Sequence, residues 1–415
     1  MPPLKIHYES LIRKAIGTTE GREKLIRLAC IVCEQESDDA RRNRCAACGG
    51  ALDAIYDMER ADLPARPSSP NILHHYLPLL PLSERRHAHW LGEGNTPCFE
   101  VPDLAAHLGI GRLFLKDESV NPTLSTKDRI ASVGLSRMAE LGIREVVLSS
   151  TGNSSTAYAR GAQLLPGFRL HVFVGRDFLH RLNYPDSDSV ITHVVEGDFG
   201  KAGTMAQRFA ADNGYFWEGG FFNFARREGL KTAYLEAFDA MPLQPDFVFQ
   251  AVSSGMGLLG AYKGAIEYRE IGRLSRLPAL MAVQQQSCAP MAHAFAQGAE
   301  TIVDEHIVRN PSGLAYAILR GNPTGTYPYI RDLCLSSGGR ILAASEPLIH
   351  RAHGLLRDSA GLRSCFASAT AFAGVIQAAQ DGVLRDDSVV LVNLTGGDRP
   401  TLQTPVNLTR WEVAA

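Results

Sequence analysis

The sequence of 415 residues has no excess of positive charge: 42 Lys and Arg stand against 44 Asp and Glu, for a formal net charge of −2 and a pI near 6.7. Such a balance sets up no field for a phosphate backbone or an anionic membrane surface, so neither nucleic acid nor membrane is an expected partner. No uninterrupted apolar run approaches the roughly 18 residues that a membrane span needs. The start Met1-Pro2-Pro3-Leu4-Lys5-Ile6 lacks the apolar core of a signal peptide, and a cytoplasmic location is the expectation that follows. Internal repeats and low-complexity tracts are missing as well, which argues against solenoids and disordered tails.

What is there is a globular composition, 45% hydrophobic and 21% charged, in a chain too long for one ordinary core. Two large lobes and something small at one end are expected. Of the eight cysteines, Cys98, Cys288, Cys334 and Cys365 stand alone, whereas Cys30, Cys33, Cys45 and Cys48 form two Cys-x-x-Cys knuckles. In a reducing compartment that spacing suits four thiolates around a structural Zn²⁺ better than disulfides. Residues 1–62 are therefore expected to hold a small zinc-ribbon-like module. Pro64, Pro67, Ser68, Ser69 and Pro70 mark a linker over 63–90.

From residue 91 short apolar runs alternate with helix-length stretches. The runs at 113–115, 146–148, 170–174, 247–249, 280–283 and 389–392 fit buried strands, and the alternation fits an α/β protein with mainly parallel sheets. Ligands in such sheets sit where strands end in turns that lead into helices. Three turns qualify. Ser149-Ser150-Thr151-Gly152-Asn153-Ser154-Ser155-Thr156 is a hydroxyl-rich turn ahead of an Ala-rich helix, suited to a carboxylate. Ser253-Ser254-Gly255-Met256-Gly257-Leu258-Leu259-Gly260 suits a phosphate. It also fits Gly-x-Gly-x-x-Gly, but the next apolar run ends in Gln284-Gln285-Gln286 and not in the acid a dinucleotide ribose wants. The third, Asn393-Leu394-Thr395-Gly396-Gly397-Asp398-Arg399, places a threonine hydroxyl where it can face a ring nitrogen.

Upstream, Asn121-Pro122-Thr123-Leu124-Ser125-Thr126-Lys127-Asp128-Arg129 sets a lysine at a helix start among small hydroxylated residues. A lysine desolvated in a cleft becomes nucleophilic enough to form an imine. His74, His75, His87 and His89 have no acidic partner at ligand spacing and are expected at the surface or in the linker. Arg320-Gly321-Asn322-Pro323-Thr324-Gly325 fits a turn near the pocket mouth and takes no role from the pattern.

Together these segments resemble the fold-type II pyridoxal-phosphate (PLP) enzymes, and among them the threonine synthases. Residues 121–129 match the motif Asn-Pro-Thr-Gly-Ser-Phe-Lys-Asp-Arg except at Leu124 and Thr126; Gly92-Glu93-Gly94-Asn95-Thr96-Pro97 is similar to the Gly-Glu-Gly-x-Thr-Pro opening. The segment 222–232 is similar to Asn-x-x-Arg-x-Glu-Gly-x-Lys-Thr. The resemblance implies a region over 91–415 of two α/β lobes, the smaller at roughly 130–225, and a homodimer. It implies that Lys127 forms the Schiff base with PLP, that Asn153 meets the ring hydroxyl, and that Ser253, Ser254, Gly255, Met256 and Gly257 hold the cofactor phosphate. Thr395 falls where the family faces the pyridine nitrogen. Ser150, Thr151 and Ser154 fall where it binds the substrate carboxylate, and Arg226 where it grips the substrate phosphate.

The departures fall where substrate is recognised. Gly220 and Gly257 stand where the family often has Asn, Thr126 replaces the aromatic beside the lysine, and Arg363-Ser364-Cys365-Phe366-Ala367-Ser368-Ala369 replaces Glu-Pro-x-Ser-Ala. An elimination or replacement on an amino acid with a phosphate-like leaving group is expected, either threonine formation from O-phosphohomoserine or a cysteate synthase-like β-replacement on O-phosphoserine. A silent homologue that keeps the fold for binding or regulation is the alternative of another class.

Overall fold

The computed structural model describes residues 3–18, 26–65, 69–197, 199–399, 405 and 408–411. Pro67 and Ser68 of the expected linker, like Met1 and Pro2, lie outside the described residues. Fourteen strands occur among them. The cysteine module holds β1 (Arg27–Cys30), β2 (Glu36–Ser37) and β3 (Leu52–Ile55). Next come β4 (Cys98–Glu100), β5 (Arg112–Asp117), β6 (Glu145–Ser149), β7 (Arg169–Gly175), β8 (Val190–Val195) and β9 (Phe216–Trp217). The last five are β10 (Phe247–Ala251), β11 (Ala279–Gln285), β12 (Arg340–Ala344), β13 (Val389–Leu394) and β14 (Leu408–Trp411). All six apolar runs singled out in the sequence are strands. Five helices matter below: α1 (Lys127–Glu140), α2 (Asn153–Leu164), α3 (Phe224–Ala240), α4 (Met256–Glu270) and α5 (Phe366–Gln380).

The chain divides into two compact units. The first comprises residues 1–17, 94–126 and 230–398; the second comprises 18–93, 127–229 and 399–415. The first unit is built on a six-stranded sheet in the order β12-β11-β10-β13-β5-β4, parallel except for the edge strand β4. The strands are buried on both faces, hence their Val- and Leu-rich composition. Against this sheet lies α5, whose Ala-rich sequence reflects close approach: a side chain on Gly374 would collide with Val283 of β11. Phe372, Val375 and Ile376 are fully buried in the same core, each contributing roughly 1.5–3 kcal/mol. A second interior feature is ionic. Lys231 Nζ lies 2.8 Å from Glu267 Oε2, and Lys263 Nζ lies 3.4 Å from its Oε1, all three side chains out of reach of solvent.

The second unit carries a five-stranded parallel sheet, β14-β8-β7-β6-β9, and the small antiparallel sheet β2-β1-β3 of the cysteine module. Helices α1 and α2 pack on each other. The edge strand β14 is fastened by a polar chain that sequence periodicity does not reveal. Trp411 Nε1 donates to His193 Nδ1 at 2.8 Å, His193 Nε2 lies 3.1 Å from His171 Nδ1, and His171 Nε2 lies 3.4 Å from Glu145 Oε2. An indole N–H can only donate, so His193 accepts at Nδ1 and donates from Nε2; His171 in turn donates to Glu145. Both rings are neutral in this arrangement, since a further proton would set two donors face to face. Of the four histidines expected at the surface or in the linker, all lie in the 63–90 segment, where His75 is buried and packs edge-on against Tyr76. No helix among the described residues is long and apolar enough to cross a membrane.

Burial, and then the charge of His171, pulls His193 down to about 4 from the ordinary 6.5; burial also lowers His171, against the pull of Glu145. The unfolded chain therefore takes up protons below 6.5 that the folded unit refuses until about 4. Stability from this source is complete above the higher value and is lost as pH falls toward the lower one. Urea titrations followed by Trp411 emission should show that loss in the wild type, and His193→Phe should flatten it; an unchanged acid limb in the variant would contradict the neutral chain.

Candidate active site

In the first unit, β10 ends in the turn 253–257 and runs directly into α4. Gly255 takes φ +83 at the N-cap, and no side chain caps the helix. Among the described residues, the backbone amides of 253–258 donate to no protein acceptor. That is the anion-binding geometry of a helix N-terminus, where several N–H groups and the helix dipole converge. Both glycines are dictated by packing: a side chain on Gly255 would collide with Ile330, and one on Gly257 with Gln250. Gln250 is held beneath the turn, its Oε1 accepting from Tyr234 OH and, at 3.1 Å, from Asn393 Nδ2.

Thr395 follows β13 at the same edge of the sheet, its carbonyl accepting from Thr126 N at 3.0 Å. Ser368 Oγ braces this loop by donating to Gly396 O at 2.7 Å and accepting from Gly396 N at 3.1 Å. The hydroxyl of Thr126 and Oδ1 of Asn393 are buried with no partner among the described residues.

In the second unit, Lys127 opens α1 and is half-buried. At the C-terminal end of β6, Ser150 Oγ accepts from Gly152 N and Ser155 N, both at 3.2 Å, so this hydroxyl shapes the turn and keeps only its proton to offer outward. Asn153 is the first residue of α2, and Gly152 before it has φ +131. The amides of Thr151, Asn153 and Ser154 donate to no protein acceptor among the described residues.

Arg226 lies in the first turn of α3, buried, with Nη1 3.5 Å from Ser154 Oγ. The structure thus brings Arg226 and Ser154 together. It also supplies a partner the sequence did not reveal. Glu218, fully buried after β9, pairs with Arg226 Nε and accepts from Tyr158 OH at 2.9 Å and Gly220 N at 3.0 Å. Burial opposes the charge on Arg226, but Glu218 outweighs it and raises the pKa above the usual arginine value. Nη2 is buried without a partner. Gly220 has φ +60, a conformation Asn tolerates, so replacing the family's Asn changes the side chain and leaves the backbone path intact.

The four sulfurs of Cys30, Cys33, Cys45 and Cys48 lie within 4.8 Å of one another. Contacts of 3.5 Å (Cys30–Cys48), 3.7 Å (Cys33–Cys45) and 3.4 Å (Cys33–Cys48) fit a tetrahedral Zn²⁺ with Zn–S near 2.3 Å, for which S···S is about 3.8 Å. Amides of Val32 and Gly50 point at Cys30 and Cys48 Sγ, both at 3.4 Å. A side chain on Gly50 would press on two of the sulfurs at 3.1 Å. The module is joined to the segment that carries Arg226: Asp53 Oδ2 of β3 accepts from Arg227 Nε at 3.2 Å, and Tyr56 OH donates to Glu228 at 2.5 Å.

The profile of the pyridoxal-phosphate dependent enzyme family matches residues 89–396. The chain belongs to this family. Among its relatives, a threonine synthase of Methanocaldococcus jannaschii is 30% identical over 89% of this chain and 91% of that protein. A cysteate synthase of Methanocella paludicola is 30% identical over 92% and 91%. Solved structures share the fold at lower identity: maize serine racemase has a TM-score of 0.60 at 18% identity over 74% of this chain and 89% of that one. Tomato threonine deaminase has a TM-score of 0.61 at 16% identity over 82% and 94%.

For this PLP-dependent enzyme, the row of unengaged amides over 253–258 fits a phosphate ester, and the buried hydroxyl of Thr126 fits a polar group beside Lys127. Glu218, Gln250, Tyr158 and Ser368 are the residues that sequence patterns missed. Only Gly257 hinted at one of them, since a glycine where a side chain is usual leaves room for a neighbour's.

Replacing Cys30 or Cys45 with serine should cut zinc content from one ion per chain to well below one and loosen residues 218–228 through Asp53 and Arg227. Elemental analysis with amide exchange checks this; full zinc content in both variants would remove the metal site.

Proposed function

We propose that this chain catalyses elimination or replacement on an amino acid carrying a phosphate or similar leaving group, with conversion of O-phosphohomoserine to threonine as the leading reaction. The observation that carries this reading is the pairing of two kinds of anion site on the residues the motifs select: free amides over 253–258 for the cofactor, and free amides at 151, 153 and 154 beside Arg226 for the substrate. PLP, when bound, supplies the electron sink for breaking a bond to the substrate's α-carbon. Ser253, Ser254, Gly255, Met256 and Gly257 hold its phosphate, Asn153 its ring hydroxyl, and Thr395 its ring nitrogen. A neutral hydroxyl at Thr395 leaves that nitrogen unprotonated and so favours elimination and replacement over transamination.

Lys127 Nζ is the amine that anchors the cofactor, and it then takes and returns the α-proton. Ser150, Thr151 and Ser154 orient the substrate carboxylate, and Arg226 meets the leaving group. A small amino acid as ligand, a homodimer, a cytoplasmic location and a structural zinc at Cys30, Cys33, Cys45 and Cys48 complete the proposal.

One observation favours a second reaction. Glu218 already balances Arg226, and Gly220 and Gly257 offer no side chain, so a substrate phosphate meets less positive charge and fewer donors than the family motif provides. O-phosphoserine carries its phosphate one methylene nearer the α-carbon, and charged hydrogen bonds at about 1.5–3 kcal/mol each suffice, when lost from the more distant position, to move preference toward its β-replacement with a nucleophile such as sulfite.

Holoenzyme assayed for phosphate release and for α-deuterium exchange with O-phosphohomoserine and O-phosphoserine distinguishes the two. We expect one substrate to exchange and release phosphate, and Lys127→Ala to lower exchange by about 10²–10⁴-fold. Exchange unaffected in that variant would contradict the assignment of Lys127, and silence toward both substrates would contradict the reaction class.

A further inference from the structure

The turn at Arg320–Gly325, to which the motifs assign nothing, carries a cation without a counter-charge. Arg320 Nε is enclosed and makes no hydrogen bond, and no carboxylate lies within 4.0 Å of the guanidinium among the described residues. Fully buried cations of known geometry are matched instead: Lys116 by Glu236, Arg226 by Glu218, Arg227 by Asp53, Lys231 and Lys263 by Glu267. Burial alone holds the Arg320 pKa below the usual arginine value, with no neighbouring charge to offset it. Arg320 is half-buried, and a guanidinium whose Nε is closed off without a partner is held most favourably when an anion meets its terminal nitrogens.

Its place in the first unit is well defined. The segment 312–321 is laid across the C-terminal end of β11. Gln285 accepts from Ala315 N at 3.1 Å and donates to Ala315 O at 3.2 Å, and Ser287 Oγ donates to Ser312 O at 2.7 Å. Gly321 is pressed against Val308, whose N–H donates to Gly321 O at 3.0 Å, so the backbone beside Arg320 has no room to shift. The backbone of Arg320 lies beside Cys288, where it works against the upward pull of burial on the thiol. β11 pairs in parallel with β10, and their C-terminal ends share the edge that bears the turn 253–257. The backbone at Arg320 is therefore held at the C-terminal edge of the sheet, and its side chain has Nε closed off and no protein partner at its terminal nitrogens among the described residues.

We propose that Arg320 is a specificity-determining residue that binds an oxyanion, either the phosphate of the amino-acid substrate or a free oxyanion that serves as second substrate. The fork geometry of a guanidinium suits two oxygens of such a group. The inference rests on the proposed reaction only for the identity of that oxyanion; the demand for an anion stands on the unpaired charge.

The test uses holoenzyme with inorganic phosphate as probe, followed by calorimetry and by thermal midpoint. The wild type is expected to bind phosphate and to gain stability with its concentration. R320Q should bind about tenfold or more weakly and lose most of that gain, the scale of a lost charge-assisted contact, with R320K in between. Equal phosphate affinity in wild type and R320Q, or no binding to the wild type, overturns the proposal. Cofactor and zinc contents equal to wild type establish that R320Q is folded. A rise in KM for the phosphorylated amino acid in R320Q assigns the group to the substrate, whereas a loss confined to sulfite or phosphate in solution assigns it to a free oxyanion. If phosphate binding depends on Arg320 but the wild type turns over no phosphorylated amino acid, the reaction proposed above fails and the anion site remains.

Discussion

The amides of residues 253–258 leave β10 with no acceptor among the described residues, and the local sequence keeps them so. Gly255 and Gly257 cannot carry side chains without striking Ile330 and Gln250, and the N-cap offers no hydroxyl of its own to the helix. Buried or half-buried N–H groups without acceptors are rare because each costs free energy comparable to a lost hydrogen bond. A cluster of them at a helix N-terminus is a ready-made anion site, and a phosphate ester is an anion that fits it. The parallel sheet, the tight α5 packing and the Gln250 brace all serve to hold that row of donors at one edge.

Charge elsewhere is handled by pairing, and the pairs explain how the parts are joined. Arg227 and Asp53 fuse the cysteine module to the start of α3, next to Arg226, so the four-cysteine cluster is linked to Arg226 within its own unit. Lys231, Lys263 and Glu267 form an ionic cluster inside the other unit, of the kind whose rupture costs several kcal/mol. Glu218 shows how a side chain far from any motif retunes one inside it: Arg226 keeps its position and its proton while its free charge is largely spent on a neighbour. Arg320 is the converse, a cation kept free by the absence of such a neighbour.

The backbone of this protein was largely legible in its sequence because parallel strands buried on both faces write themselves as apolar runs, as at 146–148 and 389–392. Four strands were not: β8 and β12 mix polar and apolar residues, β9 is two residues long, and β14 is held by a Trp411–His193 contact that no periodicity records. Lys127 at a helix start and the four cysteines were legible from spacing alone. Glu218 and Gln250 were invisible for a physical reason, since each acts through a contact formed across the fold, and a lone Glu or Gln at a strand end carries no local signature.

The central claim is that the turn after β10 holds the cofactor phosphate as a dianion. Phosphorus NMR of the holoenzyme tests it most directly. The expected result is a single resonance whose shift stays constant from pH 6 to 9, about the range over which a free phosphate ester titrates, because the amides hold the dianion throughout. A resonance that titrates like the free ester, or one unchanged when Gly255 is replaced by valine, would contradict it.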